Sequence, residues 1–274
     1  MCASITVREI QAKSILCKSG IPGMSYSVNP YTGCEHACIY CYATFMKEYS
    51  RHNEAWGDFV DVKVNLPDIL SKEVKKKKVG KVCIGTVADP YQPIEKERRL
   101  MRSVIEILKQ MNFPFSITTK SGLVQRDIDL LQNYPNASVS ITLTTIDEKT
   151  RKIFELNADP INDRLDCLQQ LIKAKIQTQV FYGPILPYFS DSVSAIDAIF
   201  RAVKTTGVKR VLVDKMNYLK SKVELILAKV SPQFPEAQNY YTYLLKHSNQ
   251  YNIWVKQNIH KTAQKHNLIA EVLF

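Results

Sequence analysis

The chain has 274 residues, 45% hydrophobic and 23% charged, which suits a globular protein of one large domain or two small ones. No run approaches the roughly 18 uninterrupted apolar residues of a membrane span, and Arg8, Glu9, Lys13 and Lys18 break up any signal-peptide core, so a cytoplasmic protein with no membrane partner is expected. The net charge of +11 fits nucleic acid as a partner, although its densest run, KEVKKKK at 72–78, also reads as the solvated end of a helix.

In chain order, residues 1–22 form an N-terminal arm. The first candidate strand is YSVNPY (26–31), and it runs straight into NPYTGCEHACIYCYATF (29–45), which packs Cys34, Cys38 and Cys41 into eight residues. FVDVKV (59–64) is a candidate extra strand in the first crossover. KVCIGTV (81–87) follows, and then a helical segment over 94–111 with Leu100, Val104, Ile107, Leu108 and Met111 on one face. FSITTK (115–120), ASVSITL (137–143), TQVFYGPI (178–185) and VKRVLVD (208–214) continue as strands, separated by helical patterns over 124–132, 161–174 and 192–204. From about residue 216 the pattern is helical, punctuated by Pro232 and Pro235, and LIAEVLF at the end can return as a short strand.

Strand and helix alternating in this rhythm predict a parallel sheet with helices outside it, in six units, as an open doubly wound sheet or a partial barrel. No Gly-x-Gly-x-x-Gly follows the first strand, which counts against a dinucleotide fold. In either architecture chemistry gathers at the C-terminal ends of the strands. The three crowded cysteines follow the first strand directly. Cys2, Cys17, Cys83 and Cys167 stand singly and are expected as small buried hydrophobes.

In a reducing compartment the crowded three point to metal binding rather than disulfides. Structural zinc wants four ligands; His36 is available on paper, but it lies inside the same tight loop and no second ligand pair follows downstream. His36 is therefore read as a loop-ordering residue. A [4Fe–4S] cube normally takes a thiolate on each iron, so three cysteines leave one iron open for a substrate or cofactor.

Cys-x3-Cys-x2-Cys with Tyr40 just before the third cysteine resembles the signature of the radical S-adenosylmethionine (SAM) superfamily. The blocks 29–43, IGTVADPYQPIE (84–95), ITTKSGLVQRDIDLL (117–131), ITLTTID (141–147), RLDCLQQLIKAKI (164–176) and GPILPYFSD (183–191) resemble, in order, those of its spore photoproduct lyase-like (DNA repair photolyase-like) branch. The resemblance covers roughly residues 11–217. It implies an α/β fold, a partial (β/α)6 TIM-like barrel over 23–215, with a C-terminal helical extension, 216–274, packed on it. It also implies a [4Fe–4S] cluster on Cys34, Cys38 and Cys41, with SAM on the open iron. SAM cleavage would give a 5′-deoxyadenosyl radical for hydrogen abstraction from a nucleic acid or modified base, with flavodoxin or ferredoxin as electron donor.

The same resemblance places the Tyr40 ring beside adenine, and makes Tyr40 and Tyr42 candidates for a hydrogen-transfer relay, packing being the plainer role for Tyr42. Thr86 and Asp89 are candidates for cofactor or substrate contact, with Pro90 fixing the turn. Lys120 suits the methionine carboxylate, and Ser140 matches a family serine near the ribose. Thr142 and Thr144 share the Ser140 face by alternation. Arg126 and Asp127 are expected to cap and anchor the next helix. Asp214, Lys215 and Asn217 end the sixth strand as second-rank site candidates. One departure stands out: the lyase's hydrogen-returning cysteine aligns with Thr86, whose O–H bond is too strong for that role. Cys83, three residues earlier, is expected on the opposite face. Two other readings stay open, a zinc-stabilised basic nucleic-acid-binding protein without catalysis and a redox carrier, although carriers normally use four cysteines.

Overall fold

The computed structural model describes residues 5–274, so Cys2 lies outside the described residues. Its strands are β1 (Thr6–Ile10), β2 (Cys17–Lys18), β3 (Tyr26–Val28), β4 (Tyr31–Thr32), β5 (Phe59–Lys63), β6 (Val82–Ile84), β7 (Phe115–Thr119), β8 (Ala137–Thr142), β9 (Gln177–Tyr182), β10 (Arg210–Val213) and β11 (Ile269–Val272). The main sheet has the order β11-β10-β9-β8-β7-β6-β3-β2. All its neighbours are parallel except the β2–β3 pair. The six strands β3 and β6 to β10 follow one another in both sequence and space, the partial (β/α)6 barrel that the resemblance implied and one of the two architectures open to the strand rhythm.

Alternation decides which residues face the lumen. Phe115 and Ile117 of β7, Val139 and Ile141 of β8, and Val180 and Tyr182 of β9 are fully buried in the core beneath the surrounding helices. Their alternates Ser116, Thr118, Ser140, Thr142, Gln179 and Phe181 line an interior cavity instead. Each fully buried large apolar side chain contributes about 1.5–3 kcal/mol by removal from water, so a one-residue slip would lose the outer core and the polar lumen together.

Several expectations are corrected in detail. The run 26–31 splits, because Pro30 offers no N–H to a ladder. β3 stays in the barrel, while β4 crosses to a three-stranded sheet of order β1-β5-β4. That sheet also takes in part of the N-terminal arm, since β1 lies parallel to β5. The 94–111 helix breaks at Arg99, at φ 53°, into Glu95–Arg98 and Leu100–Gln110. Its buried face runs through Leu100, Met101, Val104, Ile105 and Leu108, leaving Ile107 and Met111 half-buried. Over 124–132 the chain forms a 3-10 turn, Gly122–Asp127, and one helical turn, Ile128–Leu131, where a single helix is predicted. Cys17 is exposed on β2, whereas Cys83 and Cys167 are buried as expected.

The C-terminal segment forms helices Leu219–Val230, Ala237–Lys246 and Ser248–His266 and then returns as β11, parallel to β10. Two links tie the last helix to the barrel. Lys265 and His266 meet Asp197 of helix Val193–Thr205 at 2.7 and 2.9 Å, and the Tyr251 hydroxyl donates to buried Asp191 at 2.8 Å.

Candidate active site

At the C-terminal ends of the strands the lumen opens into a cavity of about 440 Å³. All nine residues proposed from the sequence for cluster, cofactor or hydrogen transfer line it: Cys34, Cys38, Cys41, Tyr40, Tyr42, Thr86, Asp89, Lys120 and Ser140. So do His36, Thr142, Asp214, Lys215 and Asn217, while Thr144 does not line it and donates its hydroxyl to Glu155.

The cysteine loop owes its path to two left-handed residues. Gly33 has φ +85°, and a Cβ there would strike the Phe59 carbonyl, so only glycine lets the chain pass. Ala37 has φ 50°, between turns in which Cys34 O accepts from Ala37 N at 3.3 Å and Cys38 O from Cys41 N at 3.1 Å. Neighbouring elements pin the loop. Glu35 N donates to Gln92 Oε1 at 2.9 Å, Ile94 N donates to Glu35 Oε1 at 2.7 Å, and Ile39 N donates to Phe154 O at 3.0 Å. Asn157 holds two carbonyls, Glu35 O at 2.9 Å through Nδ2 and His36 O at 3.2 Å through its backbone N–H.

Burial raises all three thiols; for Cys38 it outweighs the Lys120 ammonium and pushes the group up to about 12. Metal binding here must therefore displace protons. The donor set fits an iron–sulfur cluster, three sulfurs in one buried pocket with Lys120 as a nearby cation. It fits zinc poorly. Among the described residues no three His, Cys, Asp or Glu side chains converge closely enough to hold one metal ion, whereas a cube takes each thiolate on a different iron.

Gly85, at φ +90°, ends β6 where a Cβ would lie 2.5 Å from Thr118 O. The turn it allows brings Thr86 into the cavity alongside Cys83, which alternation already points inward. Both residues line the cavity, so the expectation that Cys83 faces away is wrong, because strand geometry stops one residue after it. Asn29 holds the turn, its Oδ1 accepting from Thr86 N at 2.9 Å and Val87 N at 3.0 Å. Asp89 Oδ1 accepts from Thr119 Oγ1 at 2.6 Å and Tyr91 N at 2.9 Å, and its Oδ2 from Lys120 N at 2.7 Å. Burial opposes the Asp89 charge, but His36, Lys120 and Thr119 together hold the carboxyl well below the usual carboxylate range. Burial likewise opposes the Lys120 charge, and Cys38, Glu155 and Asp89 outweigh it, so the ammonium is held above the usual lysine range.

Beneath the loop lies a buried charged network that sequence reasoning missed. Glu155, fully buried, accepts from the Tyr40 hydroxyl and from Thr144 Oγ1 at 3.1 Å, and pairs with Arg164 at 2.7 Å. Arg164 also donates to Thr142 O at 3.0 Å and Asp159 O at 2.9 Å. The network separates the two tyrosines. Tyr40 is buried with its hydroxyl committed to Glu155, and Lys120 Nζ lies 5.7 Å from its ring centre. Tyr42 is 43% exposed, donates to Thr86 O and stacks on Tyr218 at 6.4 Å. Arg126 and Asp127 lie outside the cavity. Arg126 bridges Glu95 at 2.6 Å and Asp127 at 2.8 Å, anchoring the turn after β6. Ser140 Oγ accepts from Gln179 Nε2 at 2.7 Å.

Residues 28–202 match the family model of the Radical SAM superfamily. The chain belongs to that superfamily. A Methanocaldococcus jannaschii protein described only as uncharacterized is 35% identical over 192 residues, 70% of this chain and 72% of its own length. A Mycobacterium tuberculosis relative, also described as uncharacterized, is 32% identical over 222 residues, 76% of this chain but 64% of its own length, under two-thirds of that protein. Among solved structures, spore photoproduct lyase complexed with dinucleoside spore photoproduct superposes at a TM-score of 0.71 and 14% identity, covering 98% of this chain and 82% of the lyase. Streptococcus suis SuiB bound to its precursor peptide SuiA follows at 0.54 and 12%, covering 99% and 49%. At these identities the likeness is one of fold, and the fold of the lyase-like branch is the one its sequence blocks implied.

Proposed function

We propose that this radical SAM protein is an enzyme in which Cys34, Cys38 and Cys41 hold a [4Fe–4S] cluster that binds SAM at its open iron. When bound, the pair supplies one-electron reductive cleavage of SAM and a 5′-deoxyadenosyl radical for hydrogen abstraction. One observation carries the reading: three thiols, the Lys120 ammonium and the Ser140 hydroxyl, from three separate segments of the chain, line a single cavity. Lys120 is the group for the methionine carboxylate, because it lines the cavity close enough to Cys38 to act on its thiol and its backbone N–H is fixed by Asp89. Tyr40, braced by Glu155, shapes the wall beside the cluster cysteines; Ser140 and Thr142 give the lumen its polar side. Tyr42, at the mouth with its hydroxyl near Thr86, is the better placed tyrosine for hydrogen transfer to a substrate.

A nucleic acid or modified base is the substrate class we favour, on the basis of the lyase fold and the exposed Tyr42–Tyr218 pair at the mouth. Flavodoxin or ferredoxin would supply the electron. The basic run 72–78 lends no support. It runs from the last turn of helix Leu66–Val74 into the loop before β6, at the end of the barrel remote from the cysteines. Protein reconstituted with iron and sulfide under anaerobic conditions, given dithionite and SAM, should release 5′-deoxyadenosine. Release by a variant lacking all three cysteines, or none by the wild type, contradicts the proposal.

A further inference from the structure

His36 stands between two of the cluster cysteines and has no role in the preceding proposal. Its ring is 1% exposed and lines the cavity. Nδ1 lies 3.3 Å from Asp89 Oδ2, short of full hydrogen-bond geometry, and Nε2 has no partner. Among the described residues it is the one buried histidine with an unpartnered ring nitrogen. A second buried histidine shows the contrast. His52 meets Asp61 at 2.9 Å through Nε2 and Glu54 at 3.1 Å through Nδ1.

Buried polar atoms are nearly always paired, so an exception that faces a cavity points to a ligand that pairs it. Which nitrogen is free follows from the neighbour. The Asp89 carboxylate can only accept and lies beside Nδ1, so Nε2 is the ring nitrogen left for a ligand. Asn157 fixes the backbone of this part of the loop by holding the carbonyls of Glu35 and His36. The complementary ligand must offer a polar group to Nε2. SAM carries such groups in its amino group, its carboxylate and its ribose hydroxyls.

We infer that His36 Nε2 hydrogen-bonds to SAM bound in this cavity and helps the site select that cofactor. The inference rests on the proposed function. It assigns the cofactor a contact in the wall between Cys34 and Cys38, separate from Lys120 and Ser140.

The test is anaerobic calorimetric titration of SAM, without reductant, into cluster-loaded protein at one pH. H36L should bind SAM about tenfold or more weakly, as expected when a buried polar group loses its hydrogen-bond partner, with iron and sulfide contents unchanged. H36Q places an amide near the position of Nε2 and should recover most of the loss. H36N reaches only as far as Nδ1, keeps the Asp89 contact, and should bind like H36L. Wild-type affinity in H36L overturns the inference. Rescue by H36N but not by H36Q also overturns it, because the residue would then act through Asp89. A fall in iron content in H36L and H36Q alike does the same, by making His36 part of the cluster scaffold. A loaded wild type with an unaffected H36L refutes this inference alone; a wild type that takes up no cluster refutes the proposed function first.

Discussion

At the C-terminal end of the barrel two buried carboxylates are held by hydrogen bonds and an ion pair: Asp89 by the Lys120 backbone N–H and the Thr119 hydroxyl, Glu155 by Arg164, Tyr40 and Thr144. At the N-terminal end the lysines of the 72–78 run are mostly exposed, and their contacts are with the N-terminal segment. Lys77 Nζ caps Leu16 O at 2.6 Å and lies 5.5 Å from the ring of Tyr26, whose hydroxyl donates to Lys78 O at 3.0 Å. The second set stands out in the composition, and the first is hard to see there. Their energetics run the other way. A buried pair is costly to break because the survivor is left as an unpaired charge in a poorly solvated place, whereas surface charges in water change stability little.

Substitutions at the two ends should therefore differ by an order of magnitude, and the widest gap is expected at the cluster loop. C38A, or the same change at Cys34 or Cys41, should abolish the visible iron–sulfur absorbance after anaerobic reconstitution and leave far-ultraviolet circular dichroism unchanged. Full iron content in any of the three would end the comparison. Next, E155Q should lower the urea unfolding free energy by about 3–5 kcal/mol, as for a buried ion pair broken on one side. A loss under 1 kcal/mol would show that Arg164 finds another partner.

N29A removes the acceptor for Thr86 N and Val87 N. It should cost about 1 kcal/mol, since the two donors it strands are part-buried, and loosen the turn that brings Thr86 into the cavity. The smallest effect belongs to the other end. Replacing Lys75, Lys76 and Lys78 together with glutamine should change stability by no more than about 0.5 kcal/mol per residue and should leave SAM binding as it was. A large drop in SAM affinity there would show that the two ends are coupled.

Much of this was legible before the fold was known. Period-two alternation in FSITTK and ASVSITL separates Phe115, Ile117, Val139 and Ile141 from Ser116, Thr118, Ser140 and Thr142, and those two sets became outer core and lumen. The cysteine spacing located the site, since local spacing survives folding. Glu155 was not legible: it meets Tyr40 across 115 positions of sequence, and no local pattern marks such a pair. Cys83 was misplaced because alternation was carried past a strand that ends at Ile84, where Gly85 rotates the chain. The helix over 94–111 was drawn whole because nothing in its apolar pattern signals the left-handed Arg99.

The most direct measurement is electron paramagnetic resonance of the anaerobically reconstituted, dithionite-reduced protein with and without SAM. A [4Fe–4S] signal whose g-values shift on adding SAM is the expected result, because the proposed function puts the cofactor on an iron that Cys34, Cys38 and Cys41 would leave open. A cluster signal that SAM does not move, or a preparation holding one zinc and no iron, would contradict it.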